Sequence, residues 1–361
     1  MSPVLEPVKN IKDLPAFDGH GAVFRFEEPS VGLRGFIAIH NENLGFATGG
    51  TRMYPYASER DALTDALRLS RAMTYKCAVA GVRHGGGKAV IIGNPDTDKT
   101  ELLLRAYARA VNELNGRFTT GEDVGISEDD VQLMFEESTF FNGRKELAGD
   151  PSPYAALSTF YAMQVAVSEL FNSERLEGHT VAVKGIGKVG RRLLTLLIEA
   201  GAQVTATDIK DPVMQSVREK FPQVKLAAPE KIHLESVDIF SPCALGGDLS
   251  AETIDGLRAK IICGAANNQL VSSEVGGLLF RRGIAYVPDY VANAGGLINV
   301  MDEREAGGYN RERVLRRILN LKSTLRAIYQ LSRVKHAPMS RMADGLAEDI
   351  FKNGKPLNAP L

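Results

Sequence analysis

Two lysines and an aspartate are the residues whose type and placement best suit charge recognition and proton transfer. Lys76 falls on the apolar stripe of a predicted helix, where a charged side chain needs a reason. Either its methylenes lie along the core while the ammonium reaches water, or the charge is directed inward to hold a substrate anion. Lys88 follows the run Gly85-Gly86-Gly87. That run resembles a phosphate loop. A Walker A motif, however, needs glycine where Val82 stands and Ser or Thr where Ala89 stands, which argues against a triphosphate loop. Two readings of the glycines stand: a tight turn with a solvated lysine, or close backbone packing around an enclosed ammonium. Enclosure beside another cation pushes a lysine pKa down, which suits general-base chemistry near neutral pH. Asp123, between Gly121 and Gly125, reads by itself as a turn or cap residue. Beside the lysines it completes a set of one carboxylate and two ammonium groups that could hold an amino-acid zwitterion and move its protons.

A second constellation is Gly185-Ile186-Gly187-Lys188-Val189-Gly190, placed after a predicted strand and opening a predicted helix. Gly185 permits the tight turn, Gly187 lets backbone approach a pyrophosphate, and Gly190 lets helix and strand pack closely. The helix start then offers free N–H groups and a positive dipole end to phosphates. Asp208 ends the next strand, where a ribose-binding acid belongs. Its carboxylate accepts a 2′-hydroxyl and repels a 2′-phosphate, favouring NAD over NADP; Lys210 nearby weakens that preference.

These residues need elements to position them. Strands are predicted at Val23–Phe26 and Gly35–Ile39. A helix follows from Ser58, with Ser58 and Asp61 spaced as a capping box and a stripe through Ala62, Ala66, Leu69, Met73 and on to Ala80. After the glycine run come a strand at Ala89–Ile92, a helix from about Thr100 to Leu114 that stops at Asn115-Gly116, and a strand near Phe118–Thr120. Ser127 and Asp130 form a second capping box. The polar stretch Asn142–Pro153 reads as a domain linker. Beyond it strands and helices alternate: Thr180–Lys184, Lys188–Ala200, Gln203–Asp208, then strands centred at Ile239, Ile261–Cys263 and Ile284–Val287. Such alternation predicts a parallel, doubly wound sheet. A long helix from Arg311 to about Arg333 and a short terminal helix close the chain.

The expected architecture is therefore α/β with two domains. Residues 1–142 form an α/β substrate and catalytic domain, with the tail 334–361 packing back on it, and residues 143–333 form a Rossmann-type dinucleotide-binding domain. A length of 361 residues suits two domains. With 43 Lys+Arg against 44 Asp+Glu, the net charge of −1 gives no electrostatic footprint for nucleic acid or an anionic membrane. Three separated cysteines (Cys77, Cys243, Cys263) and six dispersed histidines offer neither a disulfide framework nor metal-ligand spacing, so no metal is expected. The opening MSPVLEPVKNIKDLPAFD lacks an apolar core and a cleavage site. No apolar run reaches the ~18 residues of a membrane span. A cytoplasmic protein is the expectation.

At these residues the sequence resembles the amino-acid dehydrogenase family that includes the glutamate, leucine, valine and phenylalanine enzymes. The resemblance runs through Gly49-Gly50-Thr51-Arg52-Met53, Met73-Thr74-Tyr75-Lys76, Gly85-Gly86-Gly87-Lys88, Glu122-Asp123-Val124-Gly125 and Pro151-Ser152-Pro153. It continues through the nucleotide glycines, Pro242-Cys243-Ala244, Gly264-Ala265-Ala266-Asn267-Asn268, Pro288-Asp289-Tyr290 and Asn293-Ala294-Gly295-Gly296. The chain's size is that of the leucine/phenylalanine branch. The resemblance implies oxidative deamination of an L-amino acid to a 2-oxo acid and ammonia, with NAD as hydride acceptor, in a homo-oligomer. Lys76 would bind the substrate carboxylate, together with Gly49, Gly50 and Met73. Lys88 would activate the water that attacks the imine, and Asp123 would exchange protons with the amino group. Cofactor contacts would come from the residues at 185–190, Asp208, Cys243, Ala244 and Asn267.

One departure stands out. Relatives commonly carry P-S-P-x-T, its threonine contacting the nicotinamide carboxamide, whereas this chain has Ala155 there. Either Ser158 or Thr159 substitutes, or cofactor orientation is looser. Aligning the motifs places Thr48, Gly121, Leu297 and Val300 around the substrate side chain. The phenylalanine enzymes resemble this chain at Gly121 and Leu297, where leucine enzymes tend to carry alanine and valine. Loss of a methyl at Gly121 is read as opening depth for a ring, and Thr48 could admit a ring N–H or a hydroxyl. Phenylalanine is the leading substrate, with leucine or another branched-chain amino acid, or tryptophan, as alternatives. A 2-hydroxy acid dehydrogenase would need a His–acid pair and an arginine clamp instead of the lysines. A relative that binds NAD without turnover draws support from Ala155 but not from Lys76, Lys88 and Asp123.

Overall fold

In the computed structural model, which describes residues 3–353, the chain forms two compact units. The first is made of residues 3–150, 300–310 and 347–353, the second of 151–299 and 311–346. Residues 354–361 of the expected tail at 334–361 lie outside the described residues, as do residues 1–2 of the expected first domain.

The first unit opens with strands β1 (Val4–Pro7), β2 (Ala22–Glu28), β3 (Leu33–Asn41), β4 (Ala47–Thr48) and β5 (Thr51–Tyr54). Helix α1 (Glu59–Val79), strand β6 (Gly85–Ile92), helix α2 (Glu101–Asn112), strand β7 (Phe118–Thr119) and helix α3 (Glu128–Phe135) follow. The sheet runs β1-β2-β3-β6-β4-β7, with β5 also pairing β6. Every residue of β6 is buried, and its period-2 alternation divides the core. Val90 and Ile92 pack with Phe36 and Ala38 under Ala62, Ala66 and Leu67 of α1, while Ala89 and Ile91 pack with Ile37 and Ile39 under Leu103, Tyr107 and Val111 of α2.

Here the sequence expectation needs correcting. Gly85-Gly86-Gly87 is the first part of the central strand, not a loop before it. Helix α1 lies directly on this stretch: a Cβ built on Gly86 would sit 2.1 Å from the Thr74 backbone nitrogen and 2.2 Å from its Oγ1. Glycine appears in a strand interior when another backbone must come this close.

Local signals behave as their chemistry dictates. Ser58 and Thr100 accept the N–H of Asp61 and Leu103, capping α1 and α2, though Asp61 reaches the Ser58 hydroxyl instead of its backbone N–H. Ser127 and Asp130 make the full reciprocal box at α3. The chain leaves α2 through left-handed Asn115 (φ 46°) and Gly116 (φ 84°). The stretch read as a linker is tied down at its start: the Gly143, Arg144 and Ala148 N–H groups all donate to Glu303, and Arg304 Nε donates to Asn142 Oδ1 at 2.7 Å. At its end Pro151 caps a helix.

That helix, α4 (Ser152–Phe171), begins the second unit, followed by β8 (Thr180–Lys184), α5 (Lys188–Glu199), β9 (Gln203–Thr207), α6 (Asp211–Lys220), β10 (Lys225–Leu226) and β11 (Ile239–Pro242). Then come α7 (Ala251–Gly256), β12 (Ile261–Ile262), α8 (Ser273–Arg281), β13 (Ala285–Tyr286), α9 (Asp289–Ala292), α10 (Gly295–Met301), α11 (Arg311–Lys335) and α12 (Met339–Asn353). All pairs in its sheet are parallel, in the order β10-β9-β8-β11-β12-β13. Counted from β8, that is the 3-2-1-4-5-6 order of a Rossmann sheet, as the alternation predicted. Among the described residues no helix is long and apolar enough to cross a membrane.

Candidate active site

Lys88 follows the glycines on β6 and shares the α1 side of the strand with Val90. It is 5% exposed. A buried ammonium needs a counter-charge, and its Nζ lies 2.9 Å from Asp123 Oδ2. The loop carrying Asp123 is held against β4 and β5 by a run of backbone bonds: Gly49 N–H to Thr119 O at 3.2 Å, Thr51 N–H to Gly121 O at 2.9 Å and Met53 N–H to Val124 O at 2.9 Å. Gly50 packs into the same corner, where a Cβ would sit 2.6 Å from Glu122 O and 3.3 Å from Lys88 Nζ. The structure thus brings Gly50, Lys88 and Asp123 together, with Gly49 beside them and Met73 reaching the Gly49 backbone from α1. Lys76 lies one turn beyond Met73, half-buried in the last turn of α1, where a cation also suits the helix dipole.

The cation facing Lys88 is Arg52, to which the sequence reading gave no role. Arg52 Nε donates to Asp123 Oδ2 at 3.0 Å, and its Nη1 donates to Asp65 Oδ2 at 3.1 Å. Asp65 Oδ2 also accepts the Tyr56 hydroxyl at 2.6 Å. The available signal was an arginine in a short apolar strand, within Gly49–Met53. Burial pushes Lys88 below the usual lysine range; Asp123 opposes this and Arg52 adds to it. Burial alone would raise the Asp123 carboxyl, but the Lys88 and Arg52 cations beside it hold it below the usual carboxylate range. The pair is therefore biased toward an ionised carboxylate beside a lysine that can accept a proton.

Of the residues expected around a substrate side chain, Thr48 is buried and donates to Met301 Sδ at 3.1 Å, while Thr119 Oγ1 donates to Thr48 Oγ1 at 3.2 Å. A Cβ on Gly121 would meet Asn142 O at 2.8 Å, so the missing methyl admits the 142 backbone and does not open depth for a ring. Leu297 and Val300 stand three residues apart on α10; Leu297 is buried in the second unit and Val300 is half-buried in the first. Thr119, Asn142 and Met301 had no sequence signal, because only their hydrogen bonds distinguish them.

The second unit assembles the dinucleotide residues. Gly185 (φ +98°) turns after β8, and a Cβ there would strike Ala244 N at 2.6 Å; a Cβ on Gly190 would strike Gly185 O at 2.0 Å. Gly187 has open space above it, and α5 starts there with no capping side chain on its first N–H groups. Asp208 accepts the N–H of Ile186 at 2.7 Å and of Lys210 at 3.0 Å, fixing its carboxylate beside the glycine turn. Cys243 N–H donates to Lys184 O at 2.7 Å, bringing Cys243 and Ala244 to the same edge. Asn267 is exposed and held by Asn293 Nδ2 at 2.8 Å. A bare helix start, a cradle open over Gly187 and a fixed acid fit a bound dinucleotide.

Neither suggested replacement for the threonine absent at Ala155 has a hydroxyl hydrogen to spare. Ser158 Oγ donates to Ala155 O at 3.0 Å and accepts the Gly295 N–H, and the buried Thr159 donates to Ala155 O at 2.8 Å.

Fold and site together define the class: an oxidoreductase that joins a dinucleotide-binding parallel sheet to an α/β unit carrying a buried lysine–aspartate pair. Comparison with known proteins gives the family. The model described as Glu/Leu/Phe/Val dehydrogenase, dimerisation domain, matches residues 23–140, and that of Glutamate/Leucine/Phenylalanine/Valine dehydrogenase matches 206–308. The chain is 45% identical over 338 residues to an L-tryptophan dehydrogenase of Nostoc punctiforme, covering 93% of this chain and 95% of that one. It is 44% identical over 338 residues to a phenylalanine dehydrogenase of Thermoactinomyces intermedius, covering 92% of each. The crystal structure of L-tryptophan dehydrogenase from Nostoc punctiforme superposes with a TM-score of 0.80 at 43% identity, over 93% of this chain and 97% of that one. The chain belongs to the glutamate/leucine/phenylalanine/valine dehydrogenase family and is an amino-acid dehydrogenase.

Proposed function

We propose that the protein catalyses the reversible oxidative deamination of a large apolar or aromatic L-amino acid, phenylalanine first, with NAD as the cofactor. The observation that carries this reading is the buried Lys88–Asp123 pair at 2.9 Å. Lys76 binds the substrate carboxylate, with Gly49, Gly50 and Met73 shaping the surroundings. Gly185 to Gly190, Cys243, Ala244, Asp208 and Asn267 hold the dinucleotide, which when bound supplies a hydride acceptor for the substrate Cα. Asp123 takes a proton from the substrate ammonium. Lys88 then removes a proton from water as its oxygen adds to the iminium carbon. Asp123 returns a proton to the nitrogen of the carbinolamine; as the C–N bond breaks and ammonia leaves, the Asp123 carboxylate takes the proton of the carbinolamine hydroxyl, and the 2-oxo acid remains. Asp208 supports NAD over NADP because its fixed carboxylate repels a 2′-phosphate.

We assign recognition of the substrate side chain to Thr48, Gly121, Leu297 and Val300; none is charged, which disfavours glutamate. The Thr119–Thr48–Met301 chain favours tryptophan as a second reading. It uses both hydroxyl hydrogens and leaves oxygen lone pairs that can accept an indole N–H. We also propose a homo-oligomer, consistent with the matched dimerisation-domain model, working in the cytoplasm, consistent with three unbridged cysteines.

A spectrophotometric screen of L-amino acids with NAD and NADP tests the assignment. Phenylalanine or tryptophan should give the highest kcat/KM with NAD, reduction of the 2-oxo acid should require ammonia, and Lys88→Ala should abolish turnover. Best activity with valine or glutamate would overturn the substrate assignment, and equal rates for wild type and Lys88→Ala would overturn the role of Lys88.

A further inference from the structure

Arg52 sits at the centre of a chain of charges for which the roles above give no reason. From β5 its guanidinium reaches two acids at once, Asp123 through Nε at 3.0 Å and Asp65 of α1 through Nη1 at 3.1 Å. Asp65 is itself held by the Tyr56 hydroxyl at 2.6 Å. The Asp123 oxygen that receives Arg52 is also the one that receives Lys88. A guanidinium presents its donors in a rigid planar fork, so two anchors fix its position and plane, whereas an ammonium donates in many directions. The carboxylate is thus oriented by Arg52, and Lys88 is left as the mobile partner.

We propose that Arg52 is a positioning residue for the proton-transfer pair, clamped by Asp65 and Tyr56, and that it keeps Asp123 ionised and Lys88 ready to take a proton from water. The proposal rests on the reading of Lys88 as the base. Arg52 does not titrate in the working range, so it acts as a constant positive charge. The charged groups facing Lys88 are Asp123 from the loop, Arg52 from β5 and Asp65 from α1; those facing Asp123 are Lys88 and Arg52. On the adjoining strand β3, His40 is turned to Thr74 Oγ1 and Asp18 O. Arg52 opposes protonation of Lys88, whereas Asp65 favours it. Removing one or the other must therefore move the pair in opposite directions, which a purely structural role would not do.

The test is the pH dependence of kcat/KM for L-phenylalanine oxidation at saturating NAD. The substrate's own ammonium titrates alike in every variant, so displacements between variants belong to the enzyme. Arg52→Gln should move the acid limb up by about one pH unit, the effect of one nearby charge, with roughly tenfold loss below the limb. Asp65→Asn should move it down, and Arg52→Lys should return it toward wild type. If Arg52→Gln fails to fold, Asp65→Asn carries the test, because it keeps every cation; a limb that does not move down overturns the proposal. Unchanged limbs, or limbs displaced the same way, overturn it also when Lys88→Ala is inactive. A Lys88→Ala enzyme that keeps wild-type turnover and acid limb would instead overturn the underlying reading of Lys88.

Discussion

Gly86 is chosen by its neighbour and not by its own torsions. Helix α1 approaches so closely that Thr74 occupies the place a side chain would take. Gly86→Ala should lower unfolding free energy by about 3 kcal/mol, at the upper end of overpacking costs, with chemical denaturation as the readout. A loss below 1 kcal/mol would mean that α1 can lift off the strand freely. The same contact explains why Lys88 was legible and Arg52 was not. A lysine after three glycines announces itself, since three missing side chains in a row mark a place where another backbone packs closely. Arg52 occupies an ordinary strand position, and its meaning lies in Asp123 and Asp65, 71 and 13 residues away. Gly121 misled for a related reason: sequence tells that a methyl is missing but not where it would have pointed.

Among elements, those with their own periodicity or caps were readable. The α1 stripe, the Asn-Gly stop after α2 and the strand–helix alternation after Thr180 all reflect local rules. The strands β4 and β5, two and four residues long, are strands only because β6 lies beside them, whereas β7, which pairs with β4, matches the strand expected near Phe118–Thr120. Helix α4 carries no readable stripe beyond its linker, because Ala156, Ala162, Met163, Val165, Ala166 and Val167 are buried on one side, Leu157, Phe160 and Tyr161 are half-buried on the other, and a helix apolar on all sides has no polar face to mark it. At α3 the capping box is complete, closed between Ser127 and Asp130 four residues beyond Asp123. Ser127→Ala should cost about 1 kcal/mol in denaturant titration while leaving kcat/KM within twofold. A change in KM would indicate that α3 shapes the site.

For the whole molecule, pH acts on stability through groups apart from the chemistry. His40 is 5% exposed, bound to Thr74 Oγ1 at 2.8 Å and Asp18 O at 3.0 Å, with the His20 ring 4.9 Å away. Burial, and then His20, pushes its pKa down to about 4. Unfolded, a histidine titrates near 6.5, so below that pH the unfolded chain binds the proton that the folded chain refuses. Stability from this group is complete above about pH 7 and is lost as pH falls through 6.5 toward 4, by about 3 kcal/mol. Equilibrium unfolding measured from pH 7.5 to 4.5 should show that decline, and His40→Gln should flatten it. Ligand linkage supplies a second global readout. NAD at a hundred times its Kd should add about 2.7 kcal/mol to unfolding, NADP less, and Asp208→Ser should narrow the difference in thermal-shift measurements.

The chain passes between its units at residues 150, 299, 310 and 346. The first unit needs Glu303 to gather the Gly143, Arg144 and Ala148 amides, and it needs Glu348 to accept the Tyr75 hydroxyl at 2.9 Å. A ribosome makes these acids more than 150 residues after the groups they serve. The first unit is therefore begun before the second and finished after it, and a nascent chain stopped after residue 299 holds all six described strands of the parallel sheet and a first unit that still lacks its clasp. Premature termination late in the gene should therefore leave an aggregation-prone first half on a chain whose parallel sheet is already made.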